Sequence, residues 1–244
     1  MDPGRRQRQA HGSGAGGGGA LPAPAGDARE LSGSTLGRRL GSADKEAGLS
    51  GFSLAEWTGA VLGAVYVWLA IRESPWCWPF GIANVSLFLV VFAHARLYGA
   101  AALQALYVAL SVYGWYEWLH GGEAHGRLEV ARTPSRWAPP LLAAGVAGSI
   151  GLGLALKAHT NEALPWSDAA ATAFSLVAQL MATRKWLENW LVWIAVDAVY
   201  VGMNLSQGLY AATALYAVFL VMAAFGFRAW RTSLRSRAAE AVAG

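Results

Sequence analysis

One cysteine, Cys77, stands in a chain of 244 residues, which excludes a disulfide framework and any thiolate zinc cluster. Charge is scarce as well: Asp, Glu, Lys and Arg make up 14% of the residues, against about 25% in ordinary soluble domains. No group of His, Asp and Glu has a recognisable metal-ligand spacing, and no motif calls for a cofactor. A membrane enzyme would need a nucleophile beside its base or a set of convergent carboxylates. The few charged groups here are scattered over different apolar runs. The formal charge of +4 does not point to nucleic acid, because the basic residues lie in the tails and between apolar runs rather than along one stripe. Residues 1–50 lack apolar periodicity and lack the apolar stretch of about 7–15 residues that marks a secretory signal. With a glycine run at 16–19 and Arg5, Arg6 and Arg8, they read as a disordered tail.

What the chain has in excess is apolar surface, 55% of its residues, concentrated after residue 50. Seven apolar runs follow, at 54–71, 78–97, 98–119, 137–156, 166–182, 186–205 and 209–230. Each is close to the roughly 20 residues with which a helix crosses about 30 Å of hydrocarbon. The spacing therefore predicts an all-α integral membrane protein of seven transmembrane helices, followed by a basic tail over 231–244. The second and third runs are almost continuous, with Arg96, Tyr98 and Gly99 supplying the only turn.

Many of the 12 tryptophans mark run edges (Trp76, Trp78, Trp118, Trp137, Trp166, Trp186 and Trp230), where an amphipathic ring favours the headgroup layer. Trp68, Trp115, Trp190 and Trp193 fit that explanation less well, since several fall inside a run. Basic residues collect after the first, third and fifth spans (Arg72; Arg127, Arg132, Arg136; Arg184, Lys185) and in the C-terminal tail (Arg231, Arg235, Arg237). The positive-inside rule then places the C-terminus in the cytoplasm. The basic N-terminal tail argues the other way, but long tails weigh less in this rule.

A single constant shift along the chain aligns two segments without a gap. Trp78 falls on Trp190, Leu97-Tyr98 on Leu209-Tyr210, Ala100 on Ala212, Ala102-Leu103 on Ala214-Leu215, Tyr113-Gly114 on Phe225-Gly226, and Trp118 on Trp230. Alanine and leucine matches are cheap in this composition; tryptophan and tyrosine matches at one offset are not. Two three-helix bundles, 54–119 and 166–230, are expected, joined by the fourth span at 137–156 as a connector. Four spans separate equivalent helices, so the repeats run parallel, related by an axis along the membrane normal, an arrangement that binds substrate near mid-membrane at the repeat interface. A seven-helix receptor would leave this duplication unexplained. In the connector, Gly145, Ser149 and Gly153 form a small-residue face suited to close helix approach.

Two stretches carry a family resemblance. The first is Gly81-Ile-Ala-Asn84-Val-Ser-Leu-Phe88, continuing through Leu97-Tyr98, Gln104 and Tyr113-Gly-Trp-Tyr-Glu-Trp118. The second is Arg184-Lys-Trp-Leu-Glu188-Asn189-Trp190-Leu-Val-Trp193. Over about residues 54–231 the chain resembles the PnuC-type nicotinamide riboside transporters. The resemblance implies a SWEET-like fold, a homotrimer in the bacterial inner membrane, no catalysis, and facilitated diffusion of a vitamin that phosphorylation traps inside. Many nicotinamide riboside members have Asn near the centre of the sixth span, where this chain has Asp197, as riboflavin-carrying relatives can also have. Thiamine-carrying relatives exist too, so the vitamin stays open among three.

Nicotinamide riboside joins a flat cationic ring to a hydroxylated sugar, and a site for it needs aromatic faces and polar groups. Trp115, Trp118, Trp190 and Trp193 are the candidate faces; a cation–π contact contributes about 0.5–2 kcal/mol. Each is equally explained by packing or anchoring. The candidate polar groups within apolar runs are Asn84, Gln104, Asn189 and Asp197. An unpaired Asp in hydrocarbon costs about 2.5–3.5 kcal/mol, so Asp197 should face protein or a wet cavity. It would there bond the ribose, balance the ring's charge, or bridge helices. Glu188 follows Arg184 by four and Lys185 by three and is expected to pair with them locally. His94 reads as a satisfied structural histidine.

Overall fold

The computed structural model describes residues 54–161 and 163–243, so the expected disordered tail over 1–50 lies outside the described residues. Among those described, seven long α-helices form: α1 (Leu54–Ile71), α2 (Cys77–His94), α3 (Tyr98–His120), α4 (Ala138–His159), α5 (Pro165–Thr183), α6 (Asn189–Ser206) and α7 (Tyr210–Ala243). Each covers most of one expected span. Proline in the first turn starts α4 and α5, where its missing N–H leaves no helical bond unmade. The α2–α3 boundary falls where the turn was expected: Arg96 takes a left-handed φ of 58°. Its counterpart under the repeat shift, Gly208, ends α6 with a φ of 73°.

Four of these helices, α1, α2, α4 and α7, are long and apolar enough to cross a membrane, which makes the protein multi-pass. The other three, α3, α5 and α6, carry polar groups along their length, and α5 packs on both α3 and α6 as well as on α4. The α4–α5 contact is close because the small face of α4 meets large rings: a Cβ at Gly145 would lie 2.6 Å from Phe174.

Tryptophan forms the core. Trp78 meets Trp118 edge-on at 5.4 Å, Trp118 meets Trp230 at 5.9 Å, and Trp230 meets Trp190 edge-on at 5.3 Å. All four are buried. The expectation that Trp78, Trp118 and Trp230 sit in the headgroup layer is therefore corrected. Trp78 and Trp118 lie near helix ends and Trp230 lies within the longer α7, and all three turn inward; Gly114 leaves room for the Trp78 ring against the α3 backbone, as Gly226 does for Trp190 against α7. A Cβ at Gly114 would collide with the Trp78 ring, and one at Gly226 would come within 2.6 Å of Trp190. Trp76, Trp137 and Trp166 remain exposed, as interfacial rings should.

The indole N–H groups tie distant segments. Trp118 Nε1 donates to the Ala182 carbonyl (2.9 Å) and Trp230 Nε1 to the Ala70 carbonyl (3.0 Å). Ala70 and Ala182 are again related by the repeat shift. Just beyond them, Glu73 (φ 56°) and Lys185 (φ 49°) occupy equivalent places in left-handed backbone, a conformation costing about 1 kcal/mol or more per residue. Their side chains meet at 3.6 Å, and the nearly inaccessible Lys185 ammonium also donates to the Leu128 carbonyl (2.9 Å) and sits 4.4 Å from the Trp118 ring. Burial pulls the Lys185 ammonium below the usual lysine range, and Glu73 opposes that shift. The basic tail is a helical continuation of α7, and its Arg237 returns to Glu73 at 3.2 Å.

Glu188 does not pair with Arg184 and Lys185. It accepts from the Thr133 N–H (2.7 Å) and hydroxyl (2.8 Å) and faces Arg132 at 3.6 Å. Arg184 turns to Glu117 at 3.9 Å, and Lys185 is taken by Glu73. The reason is the turn: left-handed Lys185 redirects the chain before α6 begins, and the Ala131–Leu187 backbone bond (2.8 Å) brings the α3–α4 connection alongside.

Two outcomes test this packing. Gly114→Ala and Gly226→Ala should each lower stability by about 1–3 kcal/mol through overpacking, whereas Gly151→Ala, which meets nothing within 4 Å, should not. Thermal unfolding in detergent reads the difference. Glu73→Gln, by stranding a buried ammonium, should cost up to about 3 kcal/mol, and adding Lys185→Met should recover part of it; a further loss in the double variant contradicts the pairing.

Candidate functional site

The polar residues of α3, α5 and α6 recur at helical spacing and so share faces. On α5, Thr172, Ser175 and Gln179 lie at i, i+3 and i+7, all buried. On α3, Gln104, Tyr107 and Ser111 have the same spacing, as do Trp193, Asp197 and Tyr200 at i, i+4 and i+7 on α6. Hydrogen bonds join these faces into one seam. Ser175 donates its proton to the Thr172 carbonyl (2.8 Å), which leaves its oxygen to accept from the Tyr107 hydroxyl. Gln179 donates to Ser111 at 3.5 Å and accepts from Tyr66 of α1 at 3.4 Å. Tyr200 lies near Thr172 and stacks on Tyr216 of α7 at 4.6 Å, with Phe219 edge-on to Tyr216.

Asp197 lies in this seam at 5% exposure. It is within electrostatic reach of Tyr200 and Tyr216, and it forms no ion pair and no hydrogen bond among the described residues. Without a bonding partner its oxygens keep a little accessible surface, unlike the fully buried indole nitrogens of Trp78 and Trp190. None of the seam residues named is cationic.

The other sequence candidates are placed as follows. Asn84 of α2 donates to the Gly59 carbonyl of α1 (2.8 Å); its amide and the Phe219 ring both face Gly63. Gln104 is half-buried on the Tyr107 face of α3. Trp193 is half-buried against the tryptophan core, on the Asp197 face of α6. Trp118 and Trp190 belong to that core, and Asn189, fully buried at the start of α6, donates to the Trp186 carbonyl (2.6 Å). The indole N–H groups of Trp190 and its counterpart Trp78 are buried without a hydrogen-bond partner among the described residues. Trp115 lines a groove beside the α1–α2 turn.

Sequence reasoning passed over Tyr66, Tyr107, Ser111, Thr172, Ser175, Gln179, Tyr200 and Tyr216. A usable signal was present in α5, where hydroxyls and an amide repeat at i, i+3 and i+7 inside an apolar run.

Comparison with known proteins yields a consistent group. A family profile described as nicotinamide mononucleotide transporter matches residues 53–232. The nicotinamide riboside transporter PnuC of Escherichia coli strain K12 is 28% identical over 222 residues, covering 80% of this chain and 93% of its own. The riboflavin/roseoflavin transporter RibM of Streptomyces davaonensis is 30% identical over 187 residues, 75% of this chain and 86% of its own. A crystal structure of the vitamin B3 transporter PnuC matches with a TM-score of 0.59 at 23% identity, covering 75% of this chain and 83% of that one. That match shows a shared fold.

Proposed function

Because the chain belongs to the nicotinamide mononucleotide transporter family, we propose that it carries nicotinamide riboside across the bacterial inner membrane by facilitated diffusion. The observation that carries this reading is Asp197, a largely buried carboxylate near tyrosine rings that has no hydrogen bond or ion pair among the described residues. A cationic aromatic ring attached to a polyhydroxylated sugar supplies what such a place lacks. Its charge or its hydroxyls meet the carboxylate, and its flat ring meets Tyr200, Tyr216 and Trp193.

Asn84, Gln104, Trp193 and Asp197 are assigned to direct contact, together with Thr172, Ser175 and Gln179. Trp118, Trp190 and Asn189 wall the end of the site, where the unpartnered Trp190 N–H remains a donor for the ligand. Trp115 lines the neighbouring groove. The unphosphorylated riboside is favoured over the mononucleotide, since a phosphate entering the seam would lose its hydration with no Arg or Lys there to receive it. Riboflavin is the second reading, favoured by the likeness to RibM.

The same reading takes the seven helices as seven spans, with bundles 54–119 and 166–230 as parallel repeats and α4 as their connector. Supporting it, ring-on-glycine contacts, indole–carbonyl bonds, left-handed turns and the two members of the Glu73–Lys185 pair all recur at the offset that carries Trp78 onto Trp190. The C-terminus is assigned to the cytoplasm from its basic residues, and the assembly to a homotrimer from the family resemblance.

In proteoliposomes, labelled nicotinamide riboside should reach equilibrium without a gradient and emerge chemically unchanged. Accumulation that needs a proton or sodium gradient contradicts facilitated diffusion, and uptake of the mononucleotide at the same rate contradicts the assignment of substrate. Riboflavin and thiamine uptake, measured alongside, tests the second reading.

If Asp197 bonds the ribose, Asp197→Asn should retain transport while Asp197→Ala weakens binding by about 1–3 kcal/mol, five- to 150-fold. If it balances charge, the Asn variant should lose affinity for the cation more than for a neutral analogue with the same ribose. Unchanged affinity per folded molecule in the Ala variant removes the residue from the site.

A further inference from the structure

We infer that the groove between the end of α1, the α1–α2 turn and the end of α3 is a binding site for the headgroup phosphate of an anionic phospholipid. The groove encloses about 480 Å3, and its lining includes Arg72, Ser74, Trp76, Trp115 and Arg127. Its lining shares no residue with the polar seam.

The charge of the groove is positive. Arg72 and Arg127 form no ion pair among the described residues. The Arg72 guanidinium is held 4.2 Å over the Trp68 ring, which orients it without neutralising it. Glu73 also lines the groove, but its carboxylate is shared between Lys185 at 3.6 Å and Arg237 at 3.2 Å, two cations for one anion. Its left-handed backbone turns it to these partners while Arg72 and Ser74, on either side, stay at the groove. Two guanidinium groups without an ion pair among the described residues, in one lining with a hydroxyl, suit a phosphate oxyanion.

The rim selects a lipid over a soluble phosphate. Trp76 is 68% and Trp115 37% exposed, and both border the same space. A glycerol or sugar phosphate gains little from exposed indoles, whereas a phospholipid places its glycerol and first methylenes against them at headgroup depth. The groove opens at the end of apolar α1, on the side where the chain's basic residues collect, the position at which basic pockets between membrane helices take anionic headgroups.

The test uses the full chain, purified and delipidated, with retained lipid read by native mass spectrometry. Wild type should retain dioleoylphosphatidylglycerol over dioleoylphosphatidylcholine by about tenfold. Arg72→Gln/Arg127→Gln should bring the two within about twofold, while Arg72→Lys/Arg127→Lys should keep most of the preference. Circular dichroism checks that each variant is folded, and the single Arg127→Gln, in a loop, replaces the double variant if that one does not fold. Trp76→Ala/Trp115→Ala should weaken retention of phosphatidylglycerol while leaving the arginines to bind glycerol phosphate. A preference that survives every folded charge-removing variant overturns the site. Full displacement of phosphatidylglycerol by millimolar glycerol phosphate overturns its assignment to lipid. Because the readout is lipid retained, failure here leaves the transport reading untouched, and failure of transport leaves this site untouched.

Discussion

The structure depends on two indole rings pressed against two glycines. Trp78 on Gly114 and Trp190 on Gly226 bring helices to a separation that no side chain at those positions would permit. That approach sets Trp118 and Trp230 between them, edge-on to the first pair and in contact with each other. Their N–H groups then fall on the carbonyls of Ala182 and Ala70, each a long way off in sequence. Packing and hydrogen bonding thus reinforce one geometry, since widening either helix pair would withdraw a ring and break a bond at the same time.

Beyond that core the polar contacts gather at one end. Lys185 joins Glu73, the Leu128 carbonyl and the Trp118 face, while Arg237 connects α7 to Glu73 and to Glu129. The Lys185–Glu73 pair and the two indole bonds hold this end together. Each is modest alone, about 1 kcal/mol net for a neutral hydrogen bond. Together the indole bonds tie α3 to α5 and α7 to α1. The left-handed turns at Glu73 and Lys185 place backbone strain at the same end.

Much of the fold was legible because crossing a membrane imposes length and apolarity on each helix, and those properties survive in a bare sequence. The constant offset between the two tryptophan–glycine sets was legible for a different reason. Tryptophan and glycine are hard to exchange when one must fill the space the other leaves. What could not be read was direction. A tryptophan at a run edge faces lipid, as Trp76 does, or the core, as Trp78 does two residues later, and only the partner glycine decides. Glu188 was misassigned for a related reason: helical spacing assumes a helix, and the left-handed Lys185 interrupts it.

The seam was half legible, and the missing half follows from how polarity is weighed. Asp197, Asn84 and Gln104 stand out because each is strongly polar in an apolar run. Thr172 and Ser175 do not, because a lone hydroxyl can bond its own helix and cost little, as Ser149 does to Gly145. Their significance appears only when α3 supplies Tyr107 and α6 supplies Tyr200 to the same groups. The three helices that carry the seam are the ones not apolar enough to pass as membrane spans by composition. The explanation is positional: their polar groups face one another, so the lipid need not accept them, and α1, α2, α4 and α7 supply the apolarity the protein requires. A helix that looks too polar for the membrane, in a chain that plainly spans it, is therefore where a hydrophilic substrate should be sought.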